Sequence, residues 1–220
     1  MKKPKERLIV ALDVPFYKTV PFLKETPNVG FYKIGLQGLV NCSLMRVAEY
    51  GDIFLDLKLG GDIDTTIEKL IADCMRNRVK FISFVHSRNY SITESSLKVA
   101  KRIRGDKEYP KFLAVPALSN DWYDYDFFKM HMKTDMEKGF DGLVVSGKRI
   151  AIARKHCPKA IIVSPGIRME KPEKNEHTHW ATPIQAIQWG ADYIVVGRPI
   201  TQSKNPMLAA DNFIEKIASV

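Results

Sequence analysis

Short aliphatic or β-branched runs recur along the chain at roughly even intervals, at 8–12, 31–34, 53–57, 81–85, 112–115, 142–145, 161–163 and 193–196. Each is apolar at consecutive positions and only a few residues long, the pattern of a strand covered on both faces. Between them, apolar residues fall three and four apart, as in Ile67, Leu70, Ile71 and Cys74, then Ile184 and Ile187, and finally Leu208, Phe213, Ile214 and Ile217. That spacing predicts helices with one buried stripe. Thr182-Pro183 has the form of a helix start, and Gly139 and Gly190 suit helix stops. Eight strands alternating with helices predict parallel pairing and closure as a (β/α)8 TIM barrel rather than an open doubly wound sheet. One domain over residues 1–220 is expected.

Composition narrows the classes. Hydrophobic residues make up 45% and charged residues 27% of 220, which excludes disordered and fibrous chains. The basic start, Lys2 to Arg7, is followed only by the run 8–12. That run is too short to span a bilayer and ends at Asp13 rather than at a small-residue cleavage site, so a cytoplasmic location and no membrane partner are expected. Cys42, Cys74 and Cys157 lack metal-ligand spacing and suit thiols in a reducing compartment. The formal net charge of +9 is spread along the chain rather than gathered into a stripe. No nucleic-acid partner is expected, and part of the charge is available to steer a small anionic substrate.

Charged residues at the ends of the apolar runs carry the candidate chemistry. Asp13 follows the first, Lys33 lies in the second, and Asp56 and Lys58 end the third. Alternation along a strand places Asp56 and Lys58 on one face. In a parallel barrel all four gather at the C-terminal mouth, where catalytic groups sit. Unpaired charges are costly to bury, so this Asp-Lys-Asp-Lys set predicts either a satisfied ionic network or an active site, with the site favoured. The seventh run ends Ser164-Pro165-Gly166 and the eighth Gly197-Arg198-Pro199. Loops after strands seven and eight are the usual phosphate position of barrel enzymes, and a Gly-Arg pair supplies backbone N–H groups and a guanidinium fork. Residues 168–181 form a long polar connection, expected to act as a lid. The His177-x-His179 pair has no familiar third ligand, so no metal is expected there. His86 ends the fourth run and is a candidate pocket residue. No serine-hydrolase, P-loop or dinucleotide signature is present.

Taken with Leu8-Ile-Val-Ala-Leu-Asp13, Tyr32-Lys-Ile-Gly-Leu-Gln37, Asp56-Leu-Lys58, Asp62-Ile63 with Thr66, Ser164-Pro-Gly-Ile-Arg168, Thr182-Pro183 and the block from Gly190 to Gln202, the chain resembles the orotidine 5'-phosphate decarboxylase family over nearly its whole length. The resemblance implies a cofactor-free decarboxylase of pyrimidine synthesis acting on a nucleotide substrate. It implies Lys58 as proton donor, Lys33 and Asp56 in the charged network, Asp13 on the ribose, and Gly197 and Arg198 on the phosphate beside Pro165. It also implies a homodimer in which Asp62, Ile63 and Thr66 complete the neighbouring subunit's site. Ser119 or Asn120 would meet the pyrimidine ring.

The chain departs from the family pattern at three places. Leu59, Gly60 and Gly61 stand between Lys58 and Asp62, where the family usually has two residues, and the glycine pair is expected to absorb the extra one as a bulge or wider turn. Asp64 replaces the common proline after Asp-Ile. The lid position usually holding a phosphate-binding glutamine falls on His177, which predicts binding with some pH dependence. The alternatives are a metal-dependent sugar-phosphate barrel enzyme and a non-catalytic nucleotide-binding barrel.

Overall fold

A computed structural model of the chain describes residues 2–41, 43–85, 90–117, 125–170 and 179–220. Eight parallel strands close in chain order: β1 (Leu8–Ala11), β2 (Phe31–Ile34), β3 (Asp52–Leu59), β4 (Val79–Val85), β5 (Lys111–Val115), β6 (Gly142–Val144), β7 (Ile161–Ser164) and β8 (Tyr193–Val196). The last strand pairs with the first, Ile9 opposite Val195. The fold is the (β/α)8 TIM barrel that the apolar periodicity predicts. The strand bounds differ most at β3, which continues past Leu57 through Lys58 to Leu59.

The strands are apolar on both faces because each face has its own core. Alternate residues, among them Ile9, Phe54, Leu113, Val163 and Val195, fill the barrel, while Leu8, Val10, Tyr32, Ile34, Ile53 and Leu55 pack outward under the helices. Phe31, Phe81 and Tyr193 close the N-terminal end of the interior, with ring centroids 5.0–5.8 Å apart. Burying each such ring stabilises the fold by roughly 1.5–3 kcal/mol, and the three together plug the barrel interior at this end.

Local signals are met by specific bonds. Thr182 Oγ1 accepts from the Gln185 N–H at 3.2 Å while the Gln185 side chain accepts from the Thr182 N–H at 3.0 Å, a reciprocal cap on the helix Pro183–Gln188. Gly139 and Gly190 take φ of +94° and +101° where helices end, a conformation glycine adopts without strain. Two residues after each, an aspartate braces the barrel's base. Asp141 accepts from the Phe112 N–H and Arg104, and Asp192 from the Ile162 N–H and Arg154. These bonds tie β6 to β5 and β8 to β7 at the N-terminal end, leaving the opposite mouth for chemistry. The helix Asp64–Arg76 buries Ile67, Ile71 and Cys74.

Candidate active site

Strand parity carries the charged residues to the mouth. Lys33 lies two residues beyond the inward-facing Phe31, Asp56 two beyond Phe54, Ser83 two beyond Phe81, and Asp13 two beyond Ala11. Each therefore occupies the next inward position toward the C-terminal end. Asp13, Lys33, Asp56 and Lys58 line one side of a cavity of about 280 Å³, and Pro165, Arg168, Gly197 and Arg198 line it as well. Candidates from β1, β2, β3, β7 and β8 thus share one site.

Asp56 is the hub and is 8% exposed. Its Oδ2 accepts a hydrogen bond from Lys58 Nζ at 2.9 Å and lies 3.7 Å from Lys33 Nζ; its Oδ1 accepts from the Ser83 hydroxyl at 2.7 Å. Lys33 Nζ is also 3.6 Å from Asp13 Oδ1. The lysine of β2 is therefore held by charge between two carboxylates, beyond direct hydrogen-bond length, whereas Lys58 is hydrogen-bonded. Burial pushes the Asp56 carboxyl up, but the two ammonium groups and the Ser83 hydroxyl outweigh it and hold the acid below its ordinary value. Asp56 remains a carboxylate at neutral pH, and Lys58 has a fixed counter-ion. Gly35 explains the glycine of the Lys-Ile-Gly motif: a Cβ there would sit 3.3 Å from Lys33 Nζ and 3.7 Å from Asp13 Oδ1.

Alternation is not what brings Asp56 and Lys58 together. Leu55 pairs with Ile82 and Leu59 with Phe84, so residues 56–58 of β3 stand opposite Ser83 alone. This is a bulge, and Lys58 takes a left-handed backbone at φ +52°. The bulge lies ahead of the longer Lys58–Asp62 segment rather than at its glycine pair. Gly61 turns at φ +123° against the helix Tyr90–Arg104. There the Thr93 hydroxyl donates to the Gly60 carbonyl at 2.7 Å, and the Ser96 hydroxyl accepts from the Asp62 N–H at 3.1 Å.

Across the cavity, Gly166 takes φ +77° after β7, and Gly197 precedes the short helix Arg198–Thr201. Arg168 joins Arg198 here and was not singled out from the sequence, although it closes the Ser164-Pro-Gly-Ile-Arg motif. Ser83, bonded to Asp56, and Ser146, which lines the cavity after β6, were likewise missed; a lone serine in or beside an apolar run carries no signal until its partners are known.

Asp62, Ile63 and Thr66 do not join this cavity. All three are exposed, and the Asp62 carboxylate accepts only from the Ile63 N–H, at 2.7 Å, making no ion pair among the described residues. Ser119, Asn120, His86 and His177 lie outside the described residues, as do Cys42 and the central part of the 168–181 connection. Burial raises the other two thiols, Cys74 to about 12, as suits buried structural cysteines. Among the described residues no cluster of three or more His, Cys, Asp or Glu side chains has metal-binding geometry, and no helix is long and apolar enough to cross a membrane. A larger cavity of about 350 Å³ opens at the opposite end, between Lys2, Lys80, Tyr109 and Tyr193, and contains none of the candidate residues.

A family model described as the orotidine 5'-phosphate decarboxylase / HUMPS family matches residues 6–213. The chain is 33% identical to the orotidine 5'-phosphate decarboxylase of Nitrobacter winogradskyi, covering 97% of this chain and 93% of the relative. It is 30% identical to that of Geotalea uraniireducens, covering 97% and 96%. Among solved structures it is similar to orotidine 5'-phosphate decarboxylase from Pyrococcus horikoshii OT3 at a TM-score of 0.76 and 20% identity, over 97% and 100% of the two chains. The enzyme from Lactobacillus acidophilus gives 0.73 and 24%, over 96% and 98%.

Proposed function

Because the chain belongs to the orotidine 5'-phosphate decarboxylase / HUMPS family, we propose that it is a decarboxylase converting orotidine 5'-phosphate to uridine 5'-phosphate and CO2 in pyrimidine synthesis. The observation that carries this reading is the polarity of the cavity: a fixed Lys33–Asp56–Lys58 network shares one pocket with Arg168 and Arg198. A substrate with a phosphate at one end and a departing carboxylate at the other matches that division. Phosphate contacts remote from the reacting carbon supply binding energy that is realised at the transition state.

In the proposed step the bond from the pyrimidine ring to its carboxylate breaks and CO2 leaves. The electron pair stays on the ring carbon, and an N–H proton of Lys58 neutralises it. An ammonium held at 2.9 Å by Asp56 both stabilises the developing carbanion and delivers the proton, as general acid catalysis with preorganised electrostatics requires. No metal or cofactor takes part. Asp13 would bind the ribose, and Ser119 or Asn120 the base.

The proposal includes a single catalytic domain over residues 1–220, a cytoplasmic location and a homodimer. In the dimer Asp62, Ile63 and Thr66 complete the partner's site, with His177 on the phosphate. Support for the dimer comes from Asp62, Ile63 and Thr66, which are exposed and lie outside their own chain's cavity.

Purified protein is expected to turn over orotidine 5'-phosphate in the presence of a chelator. Lys58→Ala should abolish turnover while keeping the native circular-dichroism spectrum, with a lowered melting temperature because the buried Asp56 carboxylate loses one of its two ammonium partners. Turnover surviving in Lys58→Ala would remove the proton donor. Loss of wild-type activity on chelation would favour the metal-dependent sugar-phosphate reading. Tight uridine 5'-phosphate binding without decarboxylation would select the non-catalytic barrel.

A further inference from the structure

The β3 bulge depends on a residue outside the charged set. Ser83 is fully buried and stands alone opposite residues 56–58. Its hydroxyl donates to Asp56 Oδ1 at 2.7 Å and accepts from the Lys58 N–H at 3.0 Å. The second bond matters because the bulge removes Lys58 from the regular ladder to β4, which would leave its N–H without a strand partner. The first fills the Asp56 oxygen that neither lysine reaches. One hydroxyl therefore fixes both the backbone of the proton donor and the orientation of its counter-ion.

We infer that Ser83 is a positioning residue for the Asp56–Lys58 pair, holding the left-handed Lys58 backbone and the Asp56 carboxylate in the geometry that aims the ammonium into the cavity. The inference rests on the decarboxylase reading for its effect on turnover but not for its effect on Asp56. Alanine at this position leaves the Lys58 N–H and one carboxylate oxygen unpaired. A helical or strand-like Lys58 backbone would then compete with the left-handed one, whose cost for a non-glycine residue no longer has a bond to offset it.

The test compares wild type, Ser83→Ala and the size-matched Ser83→Cys, whose thiol is a weak donor and acceptor. Steady-state kinetics are read alongside the Asp56 carboxyl titration, followed by carbon-13 NMR. Asp56 is faced by Lys33 from β2 and Lys58 from β3. Asp13 acts on it through Lys33, Arg168 and Arg198 line the same cavity, and Asp62 of a second copy is the further acid in the proposed dimer. Against those fixed charges, removing the Ser83 donor is expected to move the Asp56 midpoint, and the acid limb of the kcat profile, to higher pH. Both variants should lose kcat roughly 10–100-fold, as for a lost hydrogen bond to a charged group, with KM within about threefold.

Wild-type kcat and titration in Ser83→Cys would show that only packing matters and would overturn the inference. So would a loss of kcat with an unmoved Asp56 titration, since that is general destabilisation. If wild-type protein decarboxylates nothing, the functional reading fails, and the Asp56 titration alone still decides the role of Ser83. If Ser83→Ala does not fold, the cysteine variant decides.

Discussion

The glycine pair offers a sharp test because its two members sit in opposite circumstances. A Cβ at Gly60 meets nothing within 4 Å, whereas a Cβ at Gly61 would overlap Ile92 Cγ2 and lie 3.0 Å from both the Ile92 carbonyl oxygen and Ser96 Oγ. Gly61 also has φ +123°, which L-residues rarely adopt. For Gly61→Ala, backbone strain costs about 1–3 kcal/mol and crowding about 1–3 kcal/mol more. The tip of Ile92 is 46% exposed and can yield, but the carbonyl cannot, so a net loss of about 2–4 kcal/mol is expected. For a chain of this size that lowers the melting temperature by roughly 5–15 °C. Alternatively the loop escapes the clash by leaving Thr93 and Ser96, which spares stability but displaces Asp62 and lowers kcat. Thermal unfolding and turnover are measured together for Gly60→Ala and Gly61→Ala. Gly60→Ala should stay within about 1 °C of wild type, since it adds a methyl to open space. If both variants match wild type in melting temperature and in kcat, Gly61 does not clamp this loop.

Two further outcomes follow from single side chains. Asp56 has a folded-state acidity held below the ordinary 3.8, so it contributes stability above that value and loses the contribution as pH falls through the lower folded value. The unfolding free-energy difference between wild type and Asp56→Asn should therefore be constant near neutrality and narrow below about pH 4; a difference that widens in acid would contradict the charge network. Thr182→Ala removes the reciprocal cap with Gln185 and should cost about 1 kcal/mol, seen as a fall of roughly 2–4 °C in denaturation followed by circular dichroism, with kcat unchanged.

Much of the molecule is legible in order along the chain. The eight apolar runs announce the barrel because parallel strands need apolar residues on both faces, a requirement written into consecutive positions. Asp13, Lys33 and Asp56 could be placed at one mouth from parity and strand direction alone, whereas Lys58 reaches the same mouth through a bulge that parity does not predict. Thr182-Pro183 and the two helix-ending glycines also act through neighbours in sequence, and their roles hold in three dimensions. Ser83, Ser96, Thr93 and Arg168 were different. A serine in the run 81–85 looks like any small strand residue until β4 is laid beside β3.

What the sequence alone determined is therefore periodic or local: strand count, strand direction, helix caps, and the charged character of one barrel end. Tertiary structure decided the rest. It converted an expected alternation of Asp56 and Lys58 into a bulge with a left-handed lysine. It set Gly60, Gly61 and Asp62 against Thr93 and Ser96, and it left Asp62 outside its own chain's cavity. The physical reason is that register depends on which residues face one another across strands, and Ser83 lies 25 positions from Lys58. Spacing within one segment carries no record of a hydrogen bond formed at that remove.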